Sequence, residues 1–119
     1  MSRQTRVLIA DDQRPTRRGL QALLSQIPGI AWAGEARDGG EAVELAADLR
    51  PDIVLMDVRM PGMDGLEATR RIKRQWPDVK VIVLTMYAEY QEQALAAGAD
   101  IFLLKSGSTA ALQRALCGT

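Results

Sequence analysis

The feature that most constrains this chain is a series of short, wholly apolar runs, each followed by a segment of helical period. Val7 to Ala10, Ile53 to Met56, Val81 to Leu84 and Ile101 to Leu104 are rich in Val, Ile and Leu and carry no polar alternation. Runs of that kind suit parallel strands covered on both faces. Ile30 to Ala36 is a weaker run, diluted by small residues and Gly34, and reads as an edge strand. Between the runs, Leu20, Leu23, Leu24 and Ile27 fall at i, i+3, i+4 and i+7, and Ala42, Val43, Ala46 and Leu49 form a similar stripe. Pro28-Gly29 and Arg50-Pro51 stop these two helices. Leu66, Thr69, Ile72 and Trp76 mark a third helix closed by Pro77, Glu89 to Ala97 a fourth closed by Gly98, and Thr109 to Leu116 a short fifth. Alternation of strand and helix predicts an α/β fold with right-handed crossovers and helices on both faces of a parallel sheet.

Length and composition narrow the function. At 119 residues the chain makes one domain, with no internal repeat, linker or low-complexity segment. Lys+Arg and Asp+Glu balance at 15 each, so the domain lacks the basic surface that nucleic-acid binding rests on. With no His, imidazole acid/base catalysis, His metal sites and phosphohistidine drop out; Cys117, the single Cys, excludes an intramolecular disulfide. No apolar run approaches the ~20 residues of a membrane span, and the expected location is the cytoplasm.

In open α/β sheets the functional crevice lies beyond the carboxyl ends of the strands. Here the residues in that place are Asp11 and Asp12 after the first run, Asp57 after the third, Thr85 after the fourth and Lys105 after the fifth. Each has a plain structural alternative: Asp11 or Asp12 as a helix cap, Asp57 as a polar stop before a loop, Thr85 as a β-branched strand end, Lys105 as a solvated lysine. Their coincidence at one rim favours a site. Three crowded carboxylates repel by ~4 kcal/mol per pair at ~4 Å and an effective dielectric of about 20, a cost that a divalent cation relieves. An all-oxygen donor set suits Mg²⁺. Lys105 would supply a positive point charge and Thr85 a hydroxyl donor to an incoming anion. A carboxylate can itself be the nucleophile that forms an aspartyl phosphate, and Asp57, ahead of the turn-rich Met60 to Gly65, is the best candidate. Met56, Met60, Met63 and Met86 read as packing residues, Trp32 and Trp76 as margin residues, and Cys117 as incidental.

The motifs LIADDQ, DIVLMDVRMPGMDGLEA, VIVLT and AGADIFLLK, in that order over nearly the whole chain, resemble the receiver domain of two-component response regulators. The resemblance implies a flavodoxin-like (βα)5 doubly wound sheet of strand order 2-1-3-4-5, an order that a receiver protein itself illustrates in general accounts of this fold. It further implies Asp57 as phosphoacceptor and a metal site for Mg²⁺ made of Asp11, Asp12, Asp57 and the carbonyl of Arg59. Thr85 would be the switch hydroxyl, Phe102 the switch aromatic and Lys105 the phosphoryl contact. The partner it implies is a sensor histidine kinase, with room for a homodimer, and the domain is a phosphoacceptor in its own phosphotransfer rather than an enzyme. RRGLQALL and GADIFLLKSGS most resemble the subfamily with a C-terminal helix-turn-helix DNA-binding domain. Residues 1-119 would then be the receiver of a longer transcription factor that meets DNA only through that further domain. The alternatives are a stand-alone receiver or a phosphate-independent pseudo-receiver acting through protein contacts. Two departures from the pattern carry expectations of their own. Ser106 replaces the usual Pro after Lys105, so that peptide should be trans. The span from Thr85 to Gly98 should hold a shortened fourth helix.

Overall fold

The computed structural model describes residues 3–118; the outermost residues of the predicted 1-119 domain lie outside them. Its strands are β1 (Thr5–Ala10), β2 (Ile30–Ala36), β3 (Ile53–Met56), β4 (Lys80–Thr85) and β5 (Ile101–Leu104). The helices are α1 (Arg14–Ser25), α2 (Gly39–Leu49), α3 (Gly65–Gln75), α4 (Gln91–Ala96) and α5 (Thr109–Cys117). All strand pairs are parallel, in the order β2-β1-β3-β4-β5. This is the predicted α/β flavodoxin-like arrangement, with β2 at one edge.

The absence of polar alternation in the strands now has its explanation. Val7, Ile9, Ile53, Leu55, Ile82 and Leu84 point to one face, where Leu24 and Ile27 from the α1 side and Leu112, Ala115 and Leu116 of α5 cover them. Leu8, Ala10, Val54, Met56, Val81 and Val83 point to the other, under Ala42 and Ala46 of α2, Leu66, Ala68 and Ile72 of α3 and Ala94 of α4. Period-2 side-chain direction thus yields two apolar layers, because a doubly covered sheet has no solvent face.

Helix boundaries follow local chemistry. Asp38, Asp64 and Ser108 cap α2, α3 and α5, their side chains accepting from the amides of Glu41, Glu67 and Ala111. The first helix ends at Ser25, short of Pro28-Gly29, and its N-cap Gln13 makes no side-chain capping bond. The fourth helix is short, as its span predicts, but its start differs from the Glu89 to Ala97 reading. The chain leaves β4 through a 3₁₀ turn, Ala88–Tyr90, and only then enters the six-residue α4, so the helix expected over Glu89 to Ala97 is reduced and starts in tighter winding. Among the described residues no peptide bond is cis, so Lys105-Ser106 is trans as the missing proline predicts. Trp32 is exposed on the edge strand, and Trp76 half-covers the α2–α3 core as the residue that ends α3.

Candidate functional site

The ladder of the sheet extends one residue past the strands and carries the polar residues with it. Asp11 N–H donates to the Ala36 carbonyl (3.0 Å), Asp57 N–H to Ala10 (2.9 Å) and Lys105 N–H to Thr85 (2.8 Å). Backbone bonds therefore hold Asp11, Asp57, Thr85 and Lys105 in register before their side chains interact at all. After Asp57 the loop is fixed by the Gly65 amide on the Val58 carbonyl (2.8 Å) and the Gly39 amide on the Met63 carbonyl (3.0 Å). Both glycines sit where a Cβ would run into backbone: into the Asp57 carbonyl at Gly65 and into that of Met63 at Gly39.

Asp11, Asp12 and Asp57 each offer an oxygen within 4.8 Å of the others. Lys105 Nζ donates to Asp11 Oδ2 at 2.6 Å and to Asp57 Oδ2 at 3.0 Å, bridging β1 and β3 from the end of β5. Asp57 Oδ1 accepts from the Val58 amide (2.8 Å) and Asp11 Oδ1 from the Gln13 amide (2.8 Å). The capping alternative for Asp11 is thus half true: its carboxylate turns the chain into α1 while its other oxygen faces the cluster. Asp12, the least covered of the three, meets among the described residues only the Gln13 side chain, at 3.4 Å. Burial pushes the Asp57 carboxyl above the ordinary carboxylate range, and Lys105 pulls it back only in part. For Lys105 burial works to lower the ammonium's pKa, but its bonds to Asp11 and Asp57 outweigh it and hold the value above that of free lysine.

Of the remaining sequence candidates, Arg59 shares a pocket with the cluster, and Thr85 and Phe102 belong to strands β4 and β5. Thr85 is fully buried at the end of β4, and its hydroxyl has no partner among the described residues. Phe102, in β5, is half-buried against the α2–α3–α4 side of the core. Arg59 lies on the rim of a pocket of about 200 Å³ lined also by Asp12, Asp57, Met86, Tyr87 and Lys105. Its guanidinium stands 4.2 Å from the centre of the Tyr87 ring and donates through Nε to the Tyr90 hydroxyl (3.0 Å). Nothing in the spacing of Arg59, Tyr87 and Tyr90 signalled that cluster, since it spans two loops. A second feature went unread although a signal existed: carrying the Leu20, Leu24, Ile27 stripe back one turn lands on Arg17, which is buried.

The donor set fits a hard divalent cation. It is all oxygen, and one ammonium against three carboxylates leaves two negative charges. Residues 7–117 match the response regulator receiver domain. The transcriptional regulatory protein LiaR of Bacillus subtilis is 45% identical over 113 residues, which cover 93% of this chain and 54% of LiaR. The chain spans about half the length of the curated regulators it matches. A LuxR-family response regulator structure from Aurantimonas superposes with a TM-score of 0.88 at 35% identity, over 97% of this chain and 86% of that one. A CheX–CheY complex with BeF3 and Mg²⁺ from Borrelia burgdorferi superposes at 0.86 and 27% identity, over 95% of this chain and 87% of that one. With its fold, its rim of acidic residues and this match over nearly its full length, the chain belongs to the response regulator receiver domain family of two-component systems.

Proposed function

We propose that this domain is a switch operated by phosphorylation of Asp57. The observation that carries the reading is the pairing of a buried Thr85 hydroxyl, without a partner among the described residues, with a carboxylate at the next strand end that shares Lys105 with Asp11. A buried polar group left unbonded is uncommon and costly, and one beside a nucleophile suits an acceptor that arrives later. In the transfer, an Asp57 Oδ forms the new P–O bond while the P–N bond of a sensor kinase's phosphohistidine breaks and the imidazole leaves. Lys105 follows the charge from carboxylate to phosphoryl oxygen, and Thr85 gains the acceptor it lacks. Phe102, on the neighbouring strand, takes up the space that the moving hydroxyl vacates.

Asp11, Asp12, Asp57 and the carbonyl of Arg59 would hold Mg²⁺, which supplies charge neutralisation between the acceptor carboxylate and the incoming phosphoryl group. Crystallisation of the related CheY with Mg²⁺ and BeF3 supports that choice of ion. The exposed Met86 and Tyr87, just before the 3₁₀ turn, and Leu95 of α4 form the surface through which a partner or a second copy reads the change. Since the resembling regulators are about twice as long, the output we assign is transcriptional, through a C-terminal DNA-binding domain, in the cytoplasm.

Intact-mass analysis after incubation with a small acyl phosphate and Mg²⁺ tests the reading. One phosphoryl group should add to the wild type and none to Asp57→Asn. Equal labelling of the two proteins sinks the assignment, and no labelling of either favours the pseudo-receiver.

A further inference from the structure

Arg17 is 6% exposed at the end of the first turn of α1, on the stripe that Leu20, Leu24 and Ile27 continue into the core. A charged residue there needs a reason, because burying a guanidinium costs several kcal/mol even after relaxation. Its bonds are few for such a place. One Nη donates to the main-chain carbonyl of Asp11 at 2.7 Å, Nε stands 3.4 Å from a carboxylate oxygen of Glu35, and among the described residues Nε has no hydrogen bond of good geometry. Glu35 is itself a third exposed. A buried pair so incompletely bonded contributes little to stability, and an apolar residue of similar volume would serve the core as well.

What Arg17 does hold is the turn that carries two of the acidic residues. The Asp11 amide is fixed by β2, its Oδ1 by the Gln13 amide and its Oδ2 by Lys105; its carbonyl is held by Arg17. Gln13 provides no side-chain cap to α1. Without the guanidinium, the peptide joining Asp11 to Asp12 would be free to rotate, and with it the least anchored carboxylate of the cluster.

We infer that Arg17, braced by Glu35, is a positioning residue that sets the Asp11-Asp12 peptide for divalent cation binding. This rests on the metal site proposed above. Groups that orient ligands in this way typically change metal affinity 10–100-fold when removed. The opposite sign is equally definite: if Arg17 acted only as a nearby positive charge, removing it would tighten cation binding.

The test is calorimetric titration of the unphosphorylated domain with Mg²⁺, alongside thermal melting. Arg17→Met should bind Mg²⁺ about tenfold more weakly, with a melting temperature within a few degrees of wild type. Arg17→Lys, which keeps one donor for the Asp11 carbonyl, should fall between the two. In acyl phosphate labelling, the half-saturating Mg²⁺ should rise in Arg17→Met while the rate at saturating Mg²⁺ stays within about twofold of wild type. Unchanged or tighter Mg²⁺ binding in Arg17→Met overturns the inference. If that variant does not fold, Arg17→Lys decides: weakened affinity supports the role, whereas wild-type affinity with a lowered melting temperature makes Arg17 structural and overturns it. Wild-type protein that takes up no Mg²⁺, or Asp12→Ala with unchanged affinity, removes the metal site itself and the inference with it.

Discussion

Asp52 and Asp100 stand immediately before β3 and β5, whereas Asp11 and Asp57 stand immediately after β1 and β3. At the amino ends each carboxylate has a cation and a backbone donor of its own. Asp52 accepts from Arg3 (2.6 Å) and from the Arg6 amide (2.8 Å), and Asp100 from Lys73 (2.9 Å) and the Val81 amide (2.8 Å). Lys73 also donates to the carbonyls of Pro77 and Val79. At the carboxyl ends Asp11 and Asp57 share Lys105, and among the described residues Asp12 pairs with no cation and the buried Thr85 hydroxyl has no partner. The same residue types close one end of the sheet and leave the other short of positive charge. The lesson is that the deficit, more than the presence of carboxylates, distinguishes a site from a scaffold.

Removing a cation from the closed end should have the largest effect on folding and none on chemistry. Lys73→Met strands two carbonyls and half of Asp100, and should cost about 2 kcal/mol in urea unfolding with Asp57 labelling unchanged. A loss of labelling would mean that the two ends are coupled.

At the open end, substitutions should act in the other direction. Thr85→Val keeps the shape and discards an unbonded hydroxyl, so stability should rise by about 1 kcal/mol. A fall of that size would show that the hydroxyl is bonded in solution, and the contrast between the ends would shrink.

The smallest effect is one of pH. Burial raises the Asp57 pKa, so between the unfolded and folded values the native state holds more protons, and stability must fall as pH rises through the folded pKa. Wild type should therefore be less stable than Asp57→Asn at pH 7, and the difference should close as pH drops towards the ordinary carboxylate value of about 4. Paired melting curves check this. A gap that widens in acid would assign Asp57 a net stabilising ion pair with Lys105.

Much of this was legible because both strands and site obey one-dimensional rules. Ile53 to Met56 and Ile101 to Leu104 are strands over those very residues, since an unbroken apolar run can be buried on both faces only in a covered sheet. Asp57 and Lys105 were identifiable for the same reason: the first polar residue after such a run must emerge at the rim. Contacts between separate loops were not legible. Arg59 meets Tyr87 and Tyr90 across two connections whose relative placement no local pattern encodes. The Ala88–Tyr90 turn was absorbed into the helix read over Glu89 to Ala97, because a 3₁₀ turn shares its residue preferences with the start of an α-helix. Arg17 was hidden by its chemical type, which ordinarily belongs on a solvated face.

The brevity of α4 bears on how a message would travel. Of its six residues only Ala94 is buried, and the preceding 3₁₀ turn buries none, so up to Ala96 the β4–β5 connection has little apolar contact to lose, and Ala97 and Ala99 anchor its end. Helices of that length do not persist by themselves in water. Segments of this kind open at a small fraction of the global unfolding free energy, and their amides exchange with solvent through that local opening. An ensemble so close to balance is redistributed by whatever difference in affinity a few new hydrogen bonds supply. The rest of the sheet can stay still: the domain would convert a chemical event at one strand end into a change of occupancy among conformers of its least anchored connection.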